Sequence, residues 1–225
     1  MPKESKSKKK LEKVIESQIL KIIAFLFVVM ITFLIAGYIF KQMNQFEYQG
    51  LTFTKERFGQ IPVYHYYFYG ETISGDIYKY NLYLRTDPRL NNIGVEGSEV
   101  YLNTRNVYLT LNTDYLNECD DNALAIGDLT LFLKDNQMNV TGANMDYTEA
   151  IMNGQKYATC ETESNNFVIE IFKGDETKIN VKNKCAQISV GPQCDILNAT
   201  EKFKTQALID ARQRELDKKG ALGPN

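Results

Sequence analysis

The stretch IIAFLFVVMITFLIAGYIF, Ile22–Phe40, runs nineteen residues without a charge or a proline and is bracketed by Lys21 and Lys41. As a helix rising about 1.5 Å per residue it would be roughly 28 Å long, close to the hydrocarbon thickness of a bilayer. It reads as a transmembrane anchor, and it divides the chain into a short basic leader and a long outer part. The apolar core is longer than that of a cleaved signal peptide. Leu34-Ile35-Ala36 and Ile35-Ala36-Gly37 match a cleavage site poorly, so the expectation is an uncleaved signal anchor. Thr32 and Gly37 are its only interruptions and form no small-xxx-small seam, which leaves pairing through the anchor open.

Before the anchor, Met1–Lys21 carries seven lysines against Glu4, Glu12 and Glu16, a balance of +4. The whole chain carries -2, so the remainder carries -6. By the positive-inside rule the leader is expected in the cytoplasm, where lysines are also attracted to anionic lipid. Leu11, Val14, Ile15, Ile19 and Leu20 keep helical spacing into the anchor, so the helix is expected to begin before the membrane. A mildly acidic outer part argues against nucleic acid as a partner. The partners expected are the lipid bilayer and another envelope or membrane protein.

After Lys41 the period changes. Phe46, Tyr48, Leu51 and Phe53, then Ile61–Tyr69, Tyr78–Arg85 and Val100–Asn103, are aromatic and β-branched with alternating polarity. Asp87-Pro88 and Gly94–Ser98 read as turns, so 46–103 is expected to form an antiparallel β layer. Within it, Tyr64-His65-Tyr66-Tyr67-Phe68-Tyr69 puts Tyr64, Tyr66 and Phe68 on one face and His65, Tyr67 and Tyr69 on the other. Two readings compete: a stacking platform for a sugar or another flat ligand, or a central strand covered on both sides, the one expected here. His65, the sole histidine, has no second histidine for a metal pair, and a structural role is expected of it.

The second half, 107–219, reads as an α/β-type arrangement. Val107–Leu111, a helix through Ala123, Ile126, Leu129 and Phe132, Met138–Gly142, a short helix at Tyr147–Met152, and Lys156–Cys160 give β-α-β-α-β with parallel neighbours. Phe167–Phe172, Thr177–Val181 and Gln187–Val190 look like antiparallel strands with Lys173-Gly174-Asp175-Glu176 as a hairpin turn. A final helix begins near Cys194. Its apolar face is Ile196, Ala199, Phe203, Ala207 and Ala211, with charges elsewhere, and it is expected to fray near Lys218-Lys219-Gly220 before a disordered tail at Ala221–Asn225. The fold class is therefore α+β: one N-terminal transmembrane helix, then an outer domain, 41–220, of mixed β-sheet with packed helices and a long C-terminal helix.

Cys119, Cys160, Cys185 and Cys194 all lie on the expected outer side, where thiols oxidise, so two disulfides follow. The layout favours Cys119 with Cys160, each following a strand that would be a parallel neighbour, and hence Cys185 with Cys194. Neither C-x-x-C nor a cysteine-histidine zinc pattern occurs, so no metal or cofactor is expected. Glu118, Asp120 and Asp121 lack calcium-loop spacing, and Asp120 or Asp121 reads as the N-cap and first-turn acid of the helix that follows. Neither G-x-S-x-G, a Walker loop nor G-x-G-x-x-G is found, and no catalytic set emerges. Asn139-Val140-Thr141 and Asn198-Ala199-Thr200 are sequons, so glycosylation at Asn139 and Asn198 is chemically permitted, less favourably at Asn198 in a helix.

The basic leader with one anchor, Phe46-Glu47-Tyr48, Tyr83-Leu84-Arg85-Thr86-Asp87-Pro88-Arg89, Val107–Leu111 before Cys119, Ala158-Thr159-Cys160, and Glu176-Thr177-Lys178-Ile179 before Cys185 together resemble a group of uncharacterised single-pass membrane proteins of archaea. The resemblance implies the same topology and paired cysteines, and no activity. The expected function is an extracytoplasmic structural or interaction module. One alternative is a ligand-binding or enzymatic domain with its site at the carboxyl ends of the strands at 107–111, 138–142 and 156–160. Another is an accessory subunit of a larger membrane complex, docked through Ile196, Phe203 and Ala207.

Overall fold

The computed structural model describes residues 4–71, 75–112, 116 and 118–221. The chain divides into two units, 1–46 and 47–225. The first is built on α1 (Glu4–Met43), a forty-residue helix containing one segment, Gln18–Phe40, long and apolar enough to cross a membrane. Its apolar side chains, from Ile19 to Phe40, are exposed. As expected, the helix begins well before the apolar run.

The second unit is α+β with two sheets. The smaller one has the order β1-β2-β3-β4, from β1 (Gln45–Tyr48), β2 (Leu51–Phe58), β3 (Ile61–Glu71) and β4 (Ile77–Leu84), the unit boundary falling within β1. The turn between β1 and β2 holds Gln49 at φ 47° and Gly50 at φ 81°, the left-handed pair that suits the twist of a two-residue hairpin. β3 pairs antiparallel with both β2 and β4.

The larger sheet has the order β5-β10-β11-β9-β6-β7-β8. Its strands are β5 (Gly94–Gly97), β6 (Asn106–Leu111), β7 (Asn139–Asn144), β8 (Lys156–Tyr157), β9 (Phe167–Lys173), β10 (Lys178–Lys182) and β11 (Cys185–Val190). β6, α2 (Asn122–Asp135), β7, α3 (Tyr147–Met152) and β8 form the expected β-α-β-α-β with parallel neighbours. The last strand is shorter than expected, ending at Tyr157.

Three expectations for the sheets change. β9 and β10 are not hairpin partners: β11 lies between them, parallel to β9 and antiparallel to β10. The hairpin turn is therefore at Asn183, φ 55°, rather than at Lys173–Glu176. β9 is buried along its first five residues, because one face lies toward the helices and the other under the segment after β8, and such a strand requires a neighbour on each edge. Gly94–Ser98 is not a turn; Gly94–Gly97 extends the large sheet parallel to β10. Gly97, at φ 94°, lies so close to β10 that a Cβ would overlap the Val181 carbonyl. Val100–Asn103 forms no strand, and the buried Val100 N–H donates to Asp210 Oδ2 at 2.7 Å. The antiparallel layer thus ends at Leu84.

α4 (Ile196–Ala221) continues past the expected fraying point; residues 222–225 of the expected tail lie outside the described residues. Ile196, Ala199, Phe203 and Ala207 are buried, and so are Thr200, Glu201, Lys204, Thr205 and Asp210. A helix on one sheet would leave the second set in water. Here α4 packs on β10, β11 and α2, while Tyr80 of β4 meets Phe132 of α2 edge-on at 5.9 Å. Arg212 of α4 donates to the Gly50 carbonyl. The helices are therefore a middle layer between two sheets, which is why the charges of α4 are enclosed rather than solvated.

The bridges are Cys119–Cys194 and Cys160–Cys185, each with Cα atoms 5.4 Å apart, and these correct the expected pairing of Cys119 with Cys160 and Cys185 with Cys194. Cys119 precedes α2 and Cys194 precedes α4; the two helices pack together, so their starts meet. After β8 the chain turns back over the other face of the sheet, where Ala158 C=O accepts from Thr110 Oγ1 at 2.8 Å. That return brings Cys160 to the first residue of β11, Cys185. Asp121 holds the N-cap position of α2 but its side chain makes no cap bond, contrary to the capping expected. Asp146 caps α3 instead, accepting from Glu149 N–H at 2.9 Å.

Candidate functional site

The register of the small sheet decides what its aromatic residues do. On the inner side lie Tyr64, Tyr80, Leu82 and Leu84, all buried. Tyr66 shares this side, and desolvation raises its phenol pKa, with the Arg212 charge opposing. Tyr80 is pushed higher still, chiefly by burial and secondarily by the charges of Asp128 and Asp135.

The opposite face is open, which corrects the expectation of a strand covered on both sides. Thr54 lies opposite His65, and His65 opposite Tyr83; Tyr67 pairs with Asn81 and Tyr69 with Lys79. Tyr67 is 49% exposed and Tyr69 66%. The rings form one connected track. Phe58 meets Tyr83 edge-on at 5.5 Å, Tyr83 stacks on His65 at 4.5 Å, His65 lies 6.0 Å from Tyr67, and Tyr67 6.0 Å from Tyr69. Lys79 Nζ sits 4.0 Å from the Tyr67 ring centre, a cation–π contact.

His65 is the fixed point of this track. Its Nδ1–H donates to Glu56 Oε1 at 2.8 Å, and Nε2 shares a 3.0 Å hydrogen bond with the Asn81 side chain. Both ring nitrogens are occupied from the neighbouring strands, so the imidazole has the structural role expected and holds the Tyr83 ring in place.

At the Phe58 end the track opens into a cleft of about 480 Å³ between the small sheet and α2. Ile61, Val63 and Tyr83 line one wall, Leu124 and Leu131 the other, with Arg85 and Glu201 at the polar end. A volume of this order suits a small ligand or one unit of a larger one. Beneath it, Glu201 is 2% exposed and accepts from the N–H groups of Arg85 at 2.6 Å and Thr86 at 3.0 Å. Desolvation nevertheless dominates and raises its pKa. Lys204, completely buried, is ion-paired with Asp128 of α2. These charges fix α4 against α2 and the end of β4, and so fix the width of the cleft.

Among the described residues, the carboxyl end of β7, one of the three strand ends in the alternative reading, is occupied by side chains. Asn144 closes β7: its Nδ2 donates to Glu149 Oε2 and Gln155 Oε1, and its Oδ1 accepts from Asp146 N–H. The stripe of Ile196, Phe203 and Ala207 is buried and offers nothing to a docking partner. Of the sequons, Asn139 is exposed at the start of β7, whereas Asn198 bonds Thr86 and Asp195 and its Thr200 is buried. The four cysteines come together as two pairs, and no free cysteine remains. Sequence reading separated the two faces of β3 but missed the cleft and the Lys204–Asp128 pair, whose members are 76 residues apart. The exposed Leu124 and Leu131, off the apolar stripe of α2, are the signal available for it.

No protein family, no curated protein and no solved structure matches this chain.

Proposed function

We propose that this chain is a single-pass membrane protein of the cell membrane, N-terminus in the cytoplasm, whose outer α+β domain binds an extended carbohydrate chain along the aromatic track. In this role it is an interaction module. The observation that carries the reading is the connected row Phe58–Tyr83–His65–Tyr67–Tyr69 on an open sheet face. Sugar rings present C–H faces that stack on aromatic faces and hydroxyls that need polar partners at the edges. Tyrosine supplies both, and Lys79, Asn81 and Glu56 lie between the rings to meet hydroxyl groups.

The anchoring and orientation rest on Gln18–Phe40, the lysine leader and two disulfides, which favour an oxidising compartment for the folded unit. Protease added outside intact cells is expected to reach 47–221 and spare the leader; digestion of the leader alone would invert the topology.

Binding is tested on full-length protein in nanodiscs, by affinity electrophoresis through gels containing envelope polysaccharides. Retardation by at least one polysaccharide, relieved in Tyr67→Ala/Tyr69→Ala, supports the reading. Equal mobility of both proteins in every gel refutes it. Loss of one stacking ring is expected to weaken binding by about 1 kcal/mol, roughly fivefold.

A further inference from the structure

The two bridges sit in different chemical surroundings. Cys119 is 5% exposed at the helix starts, whereas its partner Cys194 and both members of the second bridge, Cys160 and Cys185, are partly exposed. The second bridge lines a cavity of about 480 Å³ on the polar face of the large sheet, with Ser164, Lys182 and Gln187 among its neighbours. Behind it stands Glu170 of β9, only 3% exposed. Its Oε1 accepts from Cys160 N–H at 2.7 Å and its carboxylate also accepts from Gln187 Nε2 at 2.8 Å. A carboxylate oxygen of Glu170 and both sulfur atoms lie within 4.8 Å of one another. A bridge that only staples the fold has no use for a carboxylate there, and burying one is costly. Both donors to it are neutral amides, so the group is held in place without being neutralised by a cation.

We propose that Cys160–Cys185 is an exchange-competent disulfide that oxidises protein dithiols, with Glu170 carrying the proton. The thiol of an incoming dithiol gives its proton to the Glu170 carboxylate, and the resulting thiolate attacks Cys185 Sγ through the cavity. A sulfur–sulfur bond forms to the substrate while the Cys160–Cys185 bond breaks. Cys160 leaves as a thiolate and takes the proton back from Glu170. The second substrate thiol then attacks the mixed disulfide, and its proton passes to Cys185. The dithiol loses two electrons and two protons, and the bridge gains them. Cys119–Cys194, buried on its Cys119 side at the helix junction and, among the described residues, without a carboxylate clustered at its sulfur atoms, takes no part. This inference is independent of the carbohydrate reading.

The test uses the full-length protein in detergent micelles at fixed pH. It is exposed to graded dithiothreitol without denaturant, quenched by alkylation at set times, and mapped by peptide mass. Cys160 and Cys185 are expected to become alkylated about tenfold faster than Cys119 and Cys194, or more. Equal rates, or the reverse order, overturn the proposal, and this comparison needs no variant. Glu170→Gln is expected to slow the Cys160–Cys185 reaction by roughly 10- to 100-fold while leaving the Cys119–Cys194 rate unmoved. An unchanged Cys160–Cys185 rate in that variant removes Glu170 from the chemistry.

Discussion

Replacing Cys119 and Cys194 together with alanine removes the outer of two nested bridges. The sequence separations are 75 and 25 residues, and Cys160–Cys185 lies wholly inside the larger loop. In the chain-entropy account a loop of the first length stabilises by about 4.5 kcal/mol at 25 °C and one of the second by about 3.5 kcal/mol. Nesting lowers the outer value, because the inner bridge short-circuits 25 of the 75 steps and leaves an effective loop of about 50. The expected loss is then about 4 kcal/mol, or roughly 8–16 °C in Tm for a unit of this size. The inner double variant is expected to lose about 3.5 kcal/mol. Guanidinium unfolding followed by circular dichroism measures both. Thiol titration of the unfolded, unreduced Cys119→Ala/Cys194→Ala protein decides the pairing, since the remaining two cysteines are bonded to each other. Two free thiols there would refute the connectivity, and a larger loss for the inner pair would refute the loop argument.

Other outcomes follow from the buried charges and the exposed rings. Asp128→Ala strands the fully buried Lys204 and is expected to cost about 3 kcal/mol, low in the usual range because the Asp128 carboxylate is 36% exposed. Adding Lys204→Met to it should restore most of that in urea unfolding; a double variant no more stable than the single one contradicts the pairing argument. Glu201, its pKa raised by desolvation, binds a proton more readily folded than unfolded. Its contribution therefore makes stability rise as pH falls from its raised folded value toward 4.5, and Glu201→Gln should flatten that limb of the profile. Asp87 is the opposite case: the hydrogen bond from Arg89 lowers its pKa, so its stabilisation is present above 3.8 and is lost as pH falls through the folded value. Asp87→Asn should remove that acid-limb loss, and an unchanged limb would contradict the assignment. His65→Ala should reduce polysaccharide retention as much as Tyr67→Ala does, because it frees the Tyr83 ring; a wild-type mobility shift in this variant would separate His65 from the track.

The sequence by itself determined the long apolar helix, the two periodicities that follow it, the β-α-β-α-β order and the even set of cysteines. These are local properties: hydrophobic spacing at 3.6 or 2 residues and turn chemistry act over a few neighbours. It also separated Tyr64, Tyr66 and Phe68 from His65, Tyr67 and Tyr69, because alternation along a strand is obligatory. It predicted both faces covered, since both are aromatic, and how many of them meet the core was left to the tertiary structure. That was decided when the helical layer, with Tyr80 against Phe132, covered one face and left the other open. The cysteine pairing likewise belonged to the tertiary structure. Adjacency of strands pointed to Cys119 with Cys160, but the helix starts brought Cys119 to Cys194, and the return of the chain over the polar face brought Cys160 to Cys185. The same holds for the insertion of β11 between β9 and β10, and for the enclosure of Lys204 and Glu201 between two sheets. A disulfide, a strand neighbour and a buried ion pair each depend on which distant segments the layers bring together, and the spacing of residues along the chain carries no record of that distance.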